Sequence, residues 1–288
     1  PPAGPGSTGV EPAPMRLAAL LVWLLMAAVA GAQELDEILQ VQFEDRPDGS
    51  VIRAHNRQSA EVTLTVTLTE NFNVQPVEGQ VVTRTVPGNT RVEMIHLRPS
   101  DPGQRWSYNY VYHFTWGSLE ARHDDSVVYA LPYASGQTFQ VIQGFNGSFS
   151  HTGDNQYAVD FDLPEGTPVL CAREGTVIRA EGRYTEGGVD EKYWTRANAV
   201  QVRHRDGTVG EYVHLKPGGV AVRPGQRVSV GDLLGYSGST GYSRFPHLHF
   251  FVYKALDGYR RQSFPIRFRV GGRATPVEPV EGESYTAP

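Results

Sequence analysis

The chain has 288 residues, 40% apolar, 10% aromatic and 20% charged, with a formal net charge of −5. The apolar share is enough to fill a core, which excludes wholesale disorder, and the lack of any basic block longer than a pair argues against a nucleic-acid partner. The single cysteine, Cys171, rules out an internal disulfide and any structural zinc site built from several thiolates.

Residues 1–14 (PPAGPGSTGVEPAP) are Pro- and Gly-rich with no apolar period, and read as translated upstream sequence or a disordered segment. A different pattern starts at Met15. Arg16 gives a positive start, residues 17–29 form an almost unbroken apolar run, and Ala30-Gly31-Ala32 fits a small-x-small cleavage site before Gln33. Residues 15–32 are therefore predicted to be a secretory signal peptide. The apolar run is shorter than the roughly 20 residues of a spanning helix, so no membrane span is expected in the mature protein. No Cys follows the cleavage site to carry a lipid. Export to the periplasm or to the outside is the expectation, and with one Cys the fold must stand on its core, with or without a metal, and not on disulfides.

Thirty-one Gly and twenty Pro imply many turns, which suits an all-β chain. Residues 61–69 alternate apolar residues with Thr, the pattern of a half-buried strand. Strands are also expected at 81–86 and 91–97, joined through Pro87-Gly88-Asn89, and across the aromatic run 106–116 (WSYNYVYHFTW). This spacing predicts a β-sandwich-like domain over residues 35–133. Aromatics at alternating positions suit a core better than a glycan platform, although a platform stays open. Pro, Ser and Gly cluster near 131–137, where a boundary is expected. A second β-rich unit then runs over 138–270, and the polar, Pro-rich residues 271–288 are expected to form a flexible tail.

The second unit carries the chemistry. Residues 246–252 (PHLHFFV) read as a strand, so His247 and His249 project from one face while Leu248 and Phe250 enter a core. His-x-His alone is a weak signal. Other segments strengthen it: Ser150-His151, then Tyr157-Ala-Val-Asp160-Phe-Asp162-Leu-Pro-Glu-Gly-Thr-Pro-Val169, then Glu211-Tyr-Val-His214-Leu215, and Gly231-Asp-Leu-Leu-Gly235.

In this order the motifs over about residues 144–256 resemble the lysostaphin/LytM-type zinc metallopeptidases, which cut peptide bonds in bacterial peptidoglycan. The resemblance implies an antiparallel β-sheet peptidase domain of that type, following the sandwich-like one. It implies His151, Asp160 and His249 as ligands of one zinc per chain, and His214 and His247 as the catalytic pair. Peptidoglycan peptides are the implied partner. The spacing departs from the family's pattern: eight residues separate His151 from Asp160, where three are usual. Asp154 and Asp162 are rival ligands, and the flanking residues favour Asp160.

Two imidazoles and one carboxylate with a fourth position open make a catalytic set. Zinc makes water acidic at neutral pH, one His can serve as general base, and a protonated second can stabilise the oxyanion. Which of His214 and His247 takes which part stays open. No H-E-x-x-H helix is present.

The remaining features read as structural. His204, before a turn, is expected on the surface or in the sheet. His55, His96, His113 and His123 have no partners at metal spacing, and Cys171 reads as a buried inert thiol. Residues 235–241 (GYSGSTG) lack the Lys of a P-loop and are better read as a turn feeding the His-x-His strand, although Ser237, Ser239 and Thr240 are candidates to bind a peptide. Residues 183–196 form a long loop whose Tyr184, Tyr193 and Trp194 either touch substrate or pin the loop, and Asn198 is a further candidate for the groove. Substrate-binding residues and oligomeric state are not readable.

Three functions compete. The first is an exported zinc endopeptidase acting on peptidoglycan. The second is a non-catalytic relative that binds the wall and regulates other hydrolases, a type that typically lacks ligands. The third is a biotinyl- or lipoyl-type carrier, which needs a displayed Lys, and residues 198–215 contain none.

Overall fold

The computed structural model describes residues 38–288. The expectations for residues 1–14 and 15–32 lie outside these described residues. Among the described residues no helix is long and apolar enough to cross a membrane. The architecture is all-β, with antiparallel principal sheets and two short 3-10 turns at Gly153–Asn155 and Glu191–Tyr193. The chain divides into two compact units. Among the described residues, the first takes in those from 38 to His55 with Val66–Val82 and Arg91–Tyr112; the second takes in Asn56–Thr65, Thr83–Thr90 and His113–Pro288.

The first unit is built on a four-stranded sheet in the order Leu39–Arg46, Gly49–Asn56, Arg91–Pro99, Val74–Pro76. Val51, Ile52, Met94 and Ile95 are fully buried. His96 lies between two carboxylates, with Nδ1 2.6 Å from Glu78 and Nε2 3.0 Å from Glu93. Glu93 also accepts hydrogen bonds from Arg46 and Arg53. His96 therefore has a structural role in an ion-pair network.

A three-stranded sheet orders Val81–Val86, Val62–Phe72 and Ser107–Trp116. The Thr positions of its central strand were expected to face solvent, but Thr63 and Thr65 are buried. Their hydroxyls find partners, Thr63 donating to Gly117 O at 2.9 Å and Thr65 pairing with Thr83 at 2.7 Å. A hydrogen-bonded hydroxyl costs little to bury, so the alternation does not mark a wet face.

The second unit holds a nine-stranded sheet. Its main order is Arg227–Val228, Gly175–Glu181, Ala199–Arg203, Val209–Val213, Leu248–Ala255, Val159–Phe161, Thr138–Gln143, Ser284–Thr286, and Arg261–Ser263 pairs with Leu248–Ala255. Leu248, Phe250 and Val252 point to one face and are fully buried. They meet Val200, Val202 and Tyr212 in the core, where the Phe250 and Tyr212 rings lie 4.7 Å apart. A small sheet of Pro168–Leu170, Leu233–Ser237 and Leu215–Val220 sends Val169, Leu234 and Leu215 into the same core. Each large apolar side chain buried in this way contributes about 1.5–3 kcal/mol. The opposite face of the large sheet carries His249 and Phe251.

The end of the chain does not match its expectation. Residues 271–288 were expected to be flexible, yet Ser284–Thr286 pairs with Thr138–Gln143. Tyr285 is buried and its carbonyl accepts from the Tyr133 hydroxyl at 2.7 Å. One buried aromatic in a polar stretch holds the segment.

Candidate active site

Register explains why the sheet brings the predicted residues together. Asp160 lies directly opposite His249 across the Val159–Phe161 and Leu248–Ala255 strands, and His249 lies opposite Val213. His214 follows Val213 at the strand end, and His247 precedes Leu248 and bridges to Gly238. His151 sits in the turn after Thr138–Gln143, a strand that also pairs with Val159–Phe161. Asp160, His214, His247 and His249 line a cleft of about 680 Å³ over the polar face of the sheet, and His151 is fully buried beside Asp160.

Asp160 Oδ1 is 2.7 Å from His249 Nδ1 and 3.2 Å from His151 Nε2. One donor atom from each residue falls within 4.8 Å of the others, and all three side chains are buried. His151 Nδ1–H donates to Gly144 O at 2.8 Å, which fixes the ring and turns Nε2 inward. Although close to Asp160, Nε2 makes no hydrogen bond and is buried without a partner. A buried unpaired nitrogen is costly. A cation shared by the three donors removes that cost. Donor atoms about 2.0–2.2 Å from a tetrahedral ion sit about 3.4 Å apart, near the spacing of this set. Burial works against ionisation of Asp160, but the adjacent His249 and the hydrogen bond it donates outweigh it. The carboxyl is held well below the usual carboxylate range.

The other two histidines share one design. His214 Nδ1–H donates to Thr240 O at 2.7 Å and His247 Nδ1–H donates to Phe245 O at 2.9 Å. A backbone carbonyl only accepts, so each ring carries its proton on Nδ1 and leaves Nε2 as the free edge. His247 Nε2 is 3.9 Å from Asp160 Oδ2, and the His214 and His247 rings are 4.6 Å apart. Burial, then repulsion from His247 and His249, pushes His214 down to about 3. Burial also lowers His247. His214 adopts φ +66°, uncommon for a residue with a side chain, and this aims its ring across the strand end.

The rivals to Asp160 lie elsewhere. Asp154 accepts the backbone N–H of Arg261 at 3.0 Å, and Asp162 is exposed. Asn198 does not enter the groove. It is fully buried and its amide ties Tyr184 to the Leu215–Lys216 backbone. Ser237 and Thr240 are likewise spent on backbone carbonyls, those of Pro164 and Leu215. Of the loop aromatics, Trp194 lines the cleft and is 63% exposed. Tyr193 packs under Gly188 and Tyr184 is held by Asn198, so these two pin the loop. His204 is buried rather than superficial, with Nδ1 on Glu174 O.

Several contributors carried no sequence signal of their own. Gly144, Thr240 and Phe245 act through backbone carbonyls, which any residue type supplies. Arg179, Glu211 and Arg261 line the far end of the cleft and come from three separate strands.

The Peptidase family M23 profile matches residues 154–262, a range that begins just after His151. Glycyl-glycine endopeptidase ALE-1 of Staphylococcus capitis is 39% identical over 99 residues, which is 34% of this chain and 24% of the relative. Lysostaphin of Staphylococcus simulans is 33% identical over 132 residues, 45% of this chain and 23% of the relative. DD-carboxypeptidase/endopeptidase Mpg of Neisseria meningitidis serogroup B is 37% identical over 100 residues, 35% of this chain and 20% of the relative. The chain thus spans about a quarter of the length of the curated relatives it matches. Among solved structures, the lysostaphin catalytic domain from Staphylococcus simulans covers 44% of this chain and 87% of that domain, at 25% identity and TM-score 0.31. The motifs from Asp160 to His249 fall inside the profile match: this protein carries a peptidase family M23 domain, homologous to lysostaphin and its glycyl-glycine endopeptidase relatives.

Proposed function

We propose that this chain is an exported zinc metalloendopeptidase that hydrolyses peptide bonds in bacterial peptidoglycan. The observation that carries the reading is the convergence of His151, Asp160 and His249 donor atoms beside the free Nε2 edges of His214 and His247. Relatives named as glycyl-glycine endopeptidase and as DD-carboxypeptidase/endopeptidase support the peptide substrate. The peptidase domain is assigned to residues 138–270 and a separate β module to residues 35–133. The signal sequence at residues 15–32 supports export to the periplasm or beyond.

His151, Asp160 and His249 hold the zinc. When bound, zinc supplies Lewis acidity to a peptide carbonyl and lowers the pKa of water to about 7. The protein's own groups do the rest. The cleft holds the peptide across the sheet. One Nε2 of the His214–His247 pair accepts the proton of the attacking water. The other, once protonated, donates to the carbonyl oxygen as charge develops there. The carbonyls of Thr240 and Phe245 hold both rings so that neither reorients during reaction.

The test uses the protein beginning at Gln33, with zinc, on purified peptidoglycan, with released fragments identified by mass spectrometry. New peptide termini establish the endopeptidase and name the bond. Intact peptides overturn it and leave a wall-binding regulator.

A further inference from the structure

The cleft does not end at the histidines. Successive residues on one face of the Leu248–Ala255 strand are His249 and Phe251, about 7 Å apart. Each heads a row across the sheet. The first row runs Ala199, Val213, His249, Asp160. The second runs Arg179, Gln201, Glu211, Phe251. His247 precedes His249 on the strand, so the reacting pair and the second row lie on opposite sides of the donor set.

The second row is a built polar floor. Arg261 comes from the neighbouring strand, lies 5.0 Å over both the Phe251 and Tyr253 rings, and donates to Glu211 Oε2 at 2.7 Å. Asp154 fixes it from behind, through the Arg261 backbone N–H. Arg179 is half-buried and comes no closer than 3.9 Å to Glu181. Gln201 is 3% exposed, lies beneath the cleft floor and has an unpartnered Oε1; Asn155, which lines the cleft, has an unpartnered buried Oδ1. The charged groups lining the cleft are Arg179, Arg244 and Arg261 against Asp160 and Glu211. With Asp160 assigned to the metal, the cleft face carries three guanidiniums against the one carboxylate of Glu211, while Asp154 and Glu181 stand behind it, each 3.9 Å from Arg261 and Arg179 respectively. That repels an amine and favours an anion.

We propose that Arg179 and Arg261, with Gln201 between their strands, form a specificity subsite for a peptide carrying a free carboxylate about two residues from the bond cut. The distance follows from the row spacing of about 7 Å against at most about 3.5 Å per extended residue. The inference rests on the endopeptidase reading and names its substrate class: an acidic stem-type peptide rather than an uncharged oligoglycine.

The test compares peptides that differ only by Glu against Gln two positions before or after the cleaved bond. kcat/KM is measured with the zinc-loaded protein. Binding is also measured by calorimetry with the metal removed, which needs no catalysis. Wild type is expected to prefer the Glu peptide about tenfold at one of the two positions, the worth of one charge-assisted hydrogen bond. Arg179→Gln should bring that ratio close to one. Arg261→Gln alone strands Glu211, so the second variant pairs Arg261→Gln with Glu211→Gln; it too should lose the preference. Equal handling of Glu and Gln peptides by wild type at both positions overturns the subsite. So does a preference that survives both variants. A binding preference with no cleavage of any peptide sinks the endopeptidase reading and leaves the subsite standing.

Discussion

Asn198→Ala tests how the catalytic pair is held. Asn198 is fully buried. Its Oδ1 accepts from Tyr184 N at 2.9 Å, and its Nδ2 donates to Tyr184 O at 2.8 Å and Leu215 O at 3.2 Å. Its backbone N–H donates to Thr240 Oγ1 at 3.0 Å, and Thr240 in turn donates to Leu215 O and offers its own carbonyl to His214. Truncation leaves the Thr240 bonds but strands the N–H and C=O of Tyr184. Each abandoned buried group costs about 1–3 kcal/mol, and Tyr184 is only half-buried, so about 2–3 kcal/mol is expected in all. For a unit of this size that is about 4–12 °C in Tm. The segment after His214 loosens with it, and a misplacement of about 1 Å at a catalytic group costs about 100-fold in kcat. Zinc content should not change, because Asn198 touches no donor of the metal set. Asn198→Asp is the sharper comparison. It keeps the shape but turns a carboxylate toward the carbonyls of Tyr184, Leu215 and Lys216, so it should be worse than Ala. Calorimetry, metal analysis and steady-state kinetics read the three effects. An Ala variant within about 1 °C of wild type with full kcat, or an Asp variant more stable than Ala, refutes the reasoning.

Two further outcomes follow from the donor set and from the buried imidazole outside it. His249→Ala should lose both zinc and activity, while His214→Ala should keep zinc and lose activity; full activity in both sinks the assignment. His204, pushed down by burial from 6.5 to about 4, is neutral in the folded protein, whereas an exposed imidazole takes up a proton. The unfolded chain therefore binds more protons below 6.5. Stability is complete above that pH and falls by about 3 kcal/mol as pH drops to about 4. Denaturation midpoints from pH 7 to pH 4 should show this slope, reduced in His204→Gln; identical slopes in the two proteins count against it.

Local pattern was legible where period two decides it. The strand bearing His247 and His249 could be read because apolar residues alternate with histidines. The turn before it could be read from its Gly and Ser. What could not be read is what distant segments do to one another. Nothing near Asp160 says that it will lie opposite His249, since that register is set by a pairing 89 residues away in the chain. The positive φ of His214 and its bond to Thr240 O depend on a carbonyl from another strand end, and a carbonyl leaves no mark in the sequence. Tyr285 in a polar tail and His204 before a turn look superficial until Tyr133, Phe139 and Tyr129 are placed beside them. Thr63 and Thr65 mislead for the opposite reason, because a satisfied hydroxyl can occupy a core position.

The long gap between His151 and Asp160 is the clearest case of spacing without geometric consequence. Asp160 is placed by its strand register, and His151 is placed by the turn after Thr138–Gln143 and by Gly144 O. Neither constraint involves the residues between them. Those residues are free to loop outward, and the loop is used. Asp154 on its 3-10 turn accepts the backbone N–H of Arg261, and Asn155 lines the cleft beside it. The insertion that obscures the ligand motif therefore also anchors the arginine end of the cleft.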